Sequence, residues 1–272
     1  MASFNRRKLK KWFKLAVIIY VLLGLLLYFF QEKFLFHPKS LKADHKFAFG
    51  QPFEEINIPV SPEKNINIIR FTVPDSTRRG VVLYFHGNRQ NTERYAPFAS
   101  FFTRNHYEVW MPDYPGFGKT TGTRSEEAFN ADATEVYKMI RARFAPEQII
   151  IYGKSLGTGP ATYLASRIDC ARLILETPYT SIPDLFGHYA FIYPTGRMSK
   201  YAFPSIDRMA TVQAPVTIFH GTSDGVIPYK QAVRLQRKAG VKAQLITIKG
   251  GEHNNLADFP LYQSSLDSLL HH

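Results

Sequence analysis

The stretch "IIIYGKSLGTGP", Ile149 to Pro160, admits two readings. Gly153-Lys154-Ser155 either closes a phosphate-binding loop or presents Ser155 as a nucleophile between glycines. A phosphate loop needs G-x-x-x-x-G-K-[ST], because its first glycine opens a turn whose amides wrap the phosphates. The position five before Gly153 is Gln148, and Ile149, Ile150 and Ile151 fill the interval. Three β-branched residues in a row make a buried strand. Gly118-Lys119-Thr120 fails the same test, with Asp113 five places before Gly118. The pentapeptide Gly153-Lys154-Ser155-Leu156-Gly157 instead fits G-x-S-x-G, directly after an apolar strand and directly before the helix-compatible "LGTGPATYLASRI". A nucleophile elbow requires that context. Its serine sits in a strained turn, so the positions two before and two after must lack bulk for strand and helix to approach.

Outward from the elbow, the chain alternates. "FEEINIPV" and "NINIIRFTV" read as antiparallel strands separated by Ser61, Pro62 and Asn65. From Gly80 the order becomes strand "GVVLYFHG", a helical stretch from Asn91 to Asn105, strand "YEVWMPDYPG", and a long helix from Ser125 to Phe144. The elbow strand and helix follow, then strand "RLILETP", strand "APVTIFHG", a helix from Tyr229 to Ala239, strand "AQLITIKG" and a closing helix from about Asn255. Alternation of this kind predicts an α/β fold, a mainly parallel sheet with helices on both faces. Reactive groups on such a sheet belong at the carboxyl ends of its strands. The alternation lapses in "YTSIPDLFGHYAFIYPTGRMSKYAFPSIDRM", Tyr179 to Met209, which is aromatic and broken by Pro183, Pro194 and Pro204. Long irregular segments in compact domains serve as lids or binding loops, so 179–209 is read as a small cap over the site, with two short packed helices as the plainer alternative.

Ser155 needs a base, an orienting carboxylate and an oxyanion hole. "HGTSDGVIP" puts Asp224 in a turn just beyond one strand, and "GGEHNNL" puts His253 in a glycine-opened loop beyond the next. The order Ser155, Asp224, His253 is that of the α/β-hydrolase triad. Separations of 69 and 29 residues leave room for a cap plus a βαβ unit, then for one helix and one strand. His86 ends a strand but comes early; His106, His188 and His220 lack matching context; His271 and His272 read as a frayed terminus. Asp113 precedes the serine within "DYPGFG", where structural hydrogen bonding is its expected role. The Leu156 N–H, at a helix N-terminus, is one expected oxyanion donor. Asn88, in the loop after "VVLYFHG", is the other, with a helix cap as the competing role for 88–91. The chemistry calls for neither metal nor organic cofactor.

Totals bound the alternatives. At 272 residues and 45% hydrophobic, one large core is affordable, and α/β folds of this size are commonly single domains. A single cysteine, Cys170, rules out an internal disulfide framework and is read as a small core thiol. Of the net charge of +12, six units come from Arg6, Arg7, Lys8, Lys10, Lys11 and Lys14, before any acidic residue. The remainder is spread along the chain without aromatic interleaving, which argues against a nucleic-acid partner.

The residues after that basic segment, 1–14, explain it. Leu15 to Gln31 is uncharged and closes on Tyr28, Phe29 and Phe30. Seventeen such residues sit at the short end of a spanning helix. A cleaved signal peptide is the competing reading, but "QEKFLFHPKS" offers no small-x-small site. The expected division is therefore a basic cytoplasmic segment 1–14, a transmembrane anchor 15–31 and a hydrolase domain 32–272. The cation excess before the helix predicts a catalytic domain on the extracytoplasmic side, periplasmic in a bacterium.

"FHGN", "DYPGFGKTTG", "YGKSLGTGPA", "ETPYTS", "HGTSDGVIP" and "GGEHNNL", in this order, resemble the membrane-anchored serine hydrolases of the α/β-hydrolase superfamily, the single-span alpha/beta-hydrolase-domain proteins. The resemblance runs from about Phe34 to the C-terminus. It implies an α/β-hydrolase fold and a Ser-His-Asp triad cleaving esters or thioesters of small molecules, lipids or acylated proteins. Carried over, it makes Ser155 the nucleophile, Asp224 the acid and His253 the base; Lys154 receives no role. A peptidase or amidase on the same triad, and a tethered scaffold that only binds a partner, remain as alternatives.

Overall fold

The computed structural model describes residues 6–271. Residues 1–5 of the predicted basic segment, and His272, lie outside the described residues. A single helix, α1 (Arg6–Leu35), covers the whole predicted apolar stretch and extends past it at both ends. Only 6% of its most apolar window is buried, so it is no core helix. Its last turns hold it to the rest: Leu35 is buried, and the Gln31 side chain donates to the Met198 carbonyl (3.0 Å) and accepts from the Lys200 N–H (2.7 Å).

Eight strands form one sheet: β1 (Phe53–Ser61), β2 (Lys64–Phe71), β3 (Gly80–Phe85), β4 (Tyr107–Pro112), β5 (Ile149–Lys154), β6 (Arg172–Glu176), β7 (Val216–Gly221) and β8 (Ala243–Ile248). Their order is 1-2-4-3-5-6-7-8. β1 and β2 pair antiparallel across a tight turn at Pro62 and Glu63, and β2 meets β4 antiparallel; every other pair is parallel. Every residue of β3, β5 and β7 is buried, as parallel strands covered on both faces must be.

Successive side chains point to opposite faces. Val81, Leu83, Ile149, Ile151, Leu173 and Leu175 pack on one side with α2 (Glu126–Arg141), α3 (Thr158–Ala165) and, further on, α7 (Lys230–Ala239). Val82, Tyr84, Ile150, Tyr152, Ile174 and Phe219 pack on the other with the helical stretch 92–103 and α8 (Pro260–His271). Ser125 caps α2 by accepting from the Ala128 N–H. The expected helix from Asn91 to Asn105 is three short helical pieces, because Pro97 inside it forces a 3-10 turn. His271 is not frayed: its carbonyl accepts from Arg79 at 2.9 Å in the last turn of α8.

Within 179–209 there are three short helices: α4 (Ile182–Tyr189), α5 (Thr195–Met198) and α6 (Ser205–Arg208). Pro194 and Pro204 stand immediately before α5 and α6, where the absent N–H costs nothing. Pieces this short carry no readable period. Cys170 is half-buried against the core, and burial pushes its thiol up to about 12.

Candidate active site

Ser155 follows the last residue of β5 and has φ +50°. An L-residue rarely holds that left-handed conformation, so the turn is strained. What fixes it is the closeness of strand and helix. A Cβ on Gly157 would lie 2.1 Å from the Phe85 carbonyl oxygen, and one on Gly153 would lie 2.6 Å from the Gly157 carbonyl oxygen. The helix that follows therefore presses against β3 and β5, and the serine side chain is turned out over the sheet edge.

The turn after β7 and the loop after β8 bring the other two residues to the same edge. The Nδ1 of His253 lies 2.9 Å from Asp224 Oδ2, and its Nε2 lies 2.9 Å from Ser155 Oγ. All three residues are buried to the same degree. Asp224 also accepts from the Val226 and Ile227 N–H groups at 2.8 Å each. Burial raises its pKa, but hydrogen bonds from His220 and His253, the charge of His253 and the Ile227 amide outweigh burial and hold the carboxyl well below the usual range. An ionised Asp224 accepts from Nδ1–H, which leaves the Nε2 lone pair facing the serine hydroxyl.

Asn88 and Leu156 both line the cavity that contains Ser155 and His253. The Asn88 carbonyl accepts from the His37 N–H (2.9 Å), and its side chain donates to the Leu35 carbonyl (2.9 Å). These contacts fix the loop with its back to the end of α1. The helix-capping role proposed for 88–91 belongs to Asn91, whose side chain accepts from the Glu93 N–H. Behind the loop, His86 bridges the Gly87 carbonyl (2.7 Å) and Asp113 Oδ1 (3.0 Å), and Asp113 also accepts from the Thr92 N–H. The expected structural role of Asp113 is what these bonds describe.

Two buried groups escaped the sequence reading. His220, set aside for lack of context, has its Nε2 2.8 Å from the Ile227 carbonyl and 3.2 Å from Asp224 Oδ2. Both neighbours accept, so Nε2 carries the hydrogen, and the same carboxylate oxygen receives His220 and His253. Its position four residues before Asp224 was the available signal. Lys154, given no role, closes a buried ion pair with Glu176 at the end of β6. Tyr152 and Tyr262 donate to the other oxygen of Glu176; burial, then the charge of Glu176, pushes both phenols well above their ordinary range.

The cavity around Ser155 encloses about 350 Å³. Leu185, Phe186 and Tyr189 of α4, Phe34 of α1, and Arg89, Arg94 and His37 line it; among the described residues no Asp or Glu does.

The family described as "Serine aminopeptidase, S33" matches residues 76–206, a span that includes Ser155 and ends before Asp224 and His253. Alpha/beta hydrolase domain-containing protein 17C of Xenopus tropicalis is 33% identical over 202 residues, covering 71% of this chain and 62% of that protein. Alpha/beta hydrolase domain-containing protein 17B of Xenopus laevis is 32% identical over 196 residues, covering 69% of this chain and 64% of its own length. The chain thus spans somewhat less than two thirds of these relatives. Among solved structures, the esterase Pf2001 of Pyrococcus furiosus superposes with a TM-score of 0.68 at 15% identity, covering 87% of this chain and 97% of that one. Mouse alpha/beta hydrolase domain-containing protein 10 gives 0.62 at 16% identity, over 80% and 98% of the two chains.

Proposed function

The chain belongs to the α/β-hydrolase superfamily, and from that membership we propose that it is a membrane-anchored serine hydrolase of carboxylic esters or thioesters. The observation that carries this reading is the unbroken relay from Asp224 Oδ2 through His253 to Ser155 Oγ, with both links at 2.9 Å, ending on a serine held in the left-handed conformation.

In the proposed mechanism, His253 Nε2 takes the hydroxyl proton as Ser155 attacks the acyl carbon. Asp224 holds the imidazole tautomer and stabilises its cation. The N–H groups of Leu156 and Asn88 receive the developing oxyanion, the first of them at the positive end of the helix after the elbow. The leaving oxygen or sulfur departs with the proton from His253. Water, deprotonated by the same imidazole, then frees the acid.

The matched family's description names an aminopeptidase, so a peptidase is the second reading. An aminopeptidase must hold a substrate ammonium, which calls for a carboxylate in the cavity. Among the described residues none lines it, and Arg89 and Arg94 do. That charge balance favours an ester. α4 to α6 serve as a small cap, since α4 walls the cavity. α1 is the anchor, with its exposed apolar surface in the bilayer and the hydrolase domain on the side opposite the basic residues.

The test is labelling by a fluorophosphonate together with turnover of matched p-nitrophenyl esters and anilides. Wild type is expected to label and to prefer esters, and Ser155→Ala to do neither. In a protease with the same triad on a different fold, loss of the nucleophile costs about 10⁶ in turnover. Equal labelling of both proteins rejects the assignment, and preference for the anilide promotes the peptidase.

A further inference from the structure

A second cavity of about 260 Å³ adjoins the first and shares Phe34, Phe186 and Tyr189 with it. Its remaining wall comes from two sources: Leu27 and Gln31 of α1, and the segment from Ala190 through Tyr193 to Met198 that links α4 to α5 and runs through it. Ser199 lines it too, its hydroxyl buried without a partner among the described residues, while the other polar side chains turn to the backbone. Gln31 is engaged with Met198 and Lys200, and the Thr195 hydroxyl donates to the Pro183 carbonyl at 2.8 Å. Apart from that hydroxyl, what faces the cavity is almost wholly apolar.

The turn between α4 and α5 also climbs α1. Tyr20 and Tyr193 stack with centroids 4.6 Å apart, Tyr20 donates to the Ile192 carbonyl (3.1 Å), and Tyr193 donates to the Tyr20 carbonyl (3.0 Å). Tyr20 stands eleven residues before Gln31, about 16 Å along the helix, inside the apolar stretch. At that level Phe191 is 82% and Ile192 57% exposed. Water is a poor setting for such a pair, and the hydrocarbon around α1 a good one.

We propose that this second cavity, opening between α1 and the α4–α5 turn, holds the acyl chain of a membrane phospholipid while its ester carbonyl reaches Ser155. The inference rests on the hydrolase and anchor readings above. The turn carrying Phe191 and Ile192 dips into the leaflet, so an acyl chain passes from lipid to cavity without crossing water. Phe34, Phe186 and Tyr189 form the neck between chain site and nucleophile. The choice of a phospholipid comes from the lining of the first cavity: Arg89 and Arg94, with no carboxylate among the described lining residues, suit an anionic phosphate headgroup. Ser155 Oγ bonds to the acyl carbon, the ester C–O bond breaks, and the lysophospholipid oxygen leaves with the proton from His253. Water then releases the fatty acid.

The test uses the full chain in phosphatidylglycerol vesicles, with p-nitrophenyl acetate as the short substrate and a small fluorophosphonate reporting the intact nucleophile. In Leu27→Trp, which fills the cavity from α1, the ratio of palmitoyl-lipid to acetate turnover is expected to fall at least tenfold with labelling retained. Leu27→Ala, which enlarges it, is expected to shift the preferred acyl chain longer. An unchanged ratio and unchanged chain preference in both variants overturn the inference alone. Absence of labelling in the wild type removes the hydrolase reading and this inference with it. A wild type that cleaves an S-palmitoylated peptide in the same vesicles and spares the phospholipid overturns the assigned substrate.

Discussion

Lys154 and Glu176 face each other across adjacent parallel strands, β5 and β6, and close an ion pair whose two side chains are 4% and 0% exposed. The lysine immediately precedes Ser155, so the charge pair sits under the elbow. Removing one partner strands the other in the interior, at a cost of about 3–5 kcal/mol. Lys154→Met is expected to lose that much stability in urea unfolding, and Lys154→Met combined with Glu176→Leu to recover most of it. A double variant no better than the single one would show that the two tyrosine hydroxyls, rather than the lysine, hold the carboxylate in place.

Asp224→Asn is expected to keep the fold and lower kcat by about 10⁴-fold, the effect of the equivalent change in a serine protease. The carboxyl titrates below the ordinary range in the folded protein, so it stabilises the fold at every pH above the unfolded value of about 3.9. That contribution is lost as pH falls below this value toward the folded one. Thermal unfolding of the two proteins between pH 7 and pH 3 checks it: the wild-type advantage holds down to about pH 4 and shrinks beneath.

In the proposed mechanism His220 touches Asp224 and not the reacting atoms, which makes it a positioning residue. Loss of a hydrogen bond to a charged group costs about 1.5–3 kcal/mol, or roughly 10- to 100-fold in rate. His220→Phe is expected to lower kcat by that factor with KM held within twofold. His220→Gln, which can still donate near the position of Nε2, is expected to restore part of the loss. Equal KM and kcat defects in both variants would reduce His220 to a packing role.

Gly157→Ala tests the closeness of helix and sheet. The added methyl would meet backbone, the Phe85 carbonyl oxygen, at 2.1 Å, and backbone cannot swing aside as a side-chain tip can. Overpacking costs about 1–3 kcal/mol, and the shift displaces Ser155 as well. A lowered melting temperature together with loss of fluorophosphonate labelling is expected; full labelling would mean that the elbow tolerates the widening.

Much of this was legible in the sequence because the signals were local. "IIIYGKSLG" states strand, elbow and helix within nine residues, and Asp224 and His253 each lie in the turn or loop just after a strand that reads as apolar. His220 was missed because its meaning is spatial: it lies inside β7 and reaches Asp224 only through the curl of "GTSDGVI". Lys154 looked like a variable filler until β6 placed Glu176 beside it. The segment 179–209 resisted reading since its three helices are eight, four and four residues long, too short for a 3.6-residue period to repeat. The contact of Tyr20 with Tyr193 joins residues 173 apart, and nothing in either neighbourhood announces it.

The positive φ of Ser155 also limits which chemistry this scaffold can acquire. A threonine at that position would bring a branched Cβ into a backbone region that β-branched residues scarcely enter. A cysteine, unbranched and near in size, meets no such obstacle. Exchange of the serine for cysteine thus adds no backbone strain, whereas exchange for threonine adds a strain that this chain carries elsewhere, at Thr177 with φ +48°.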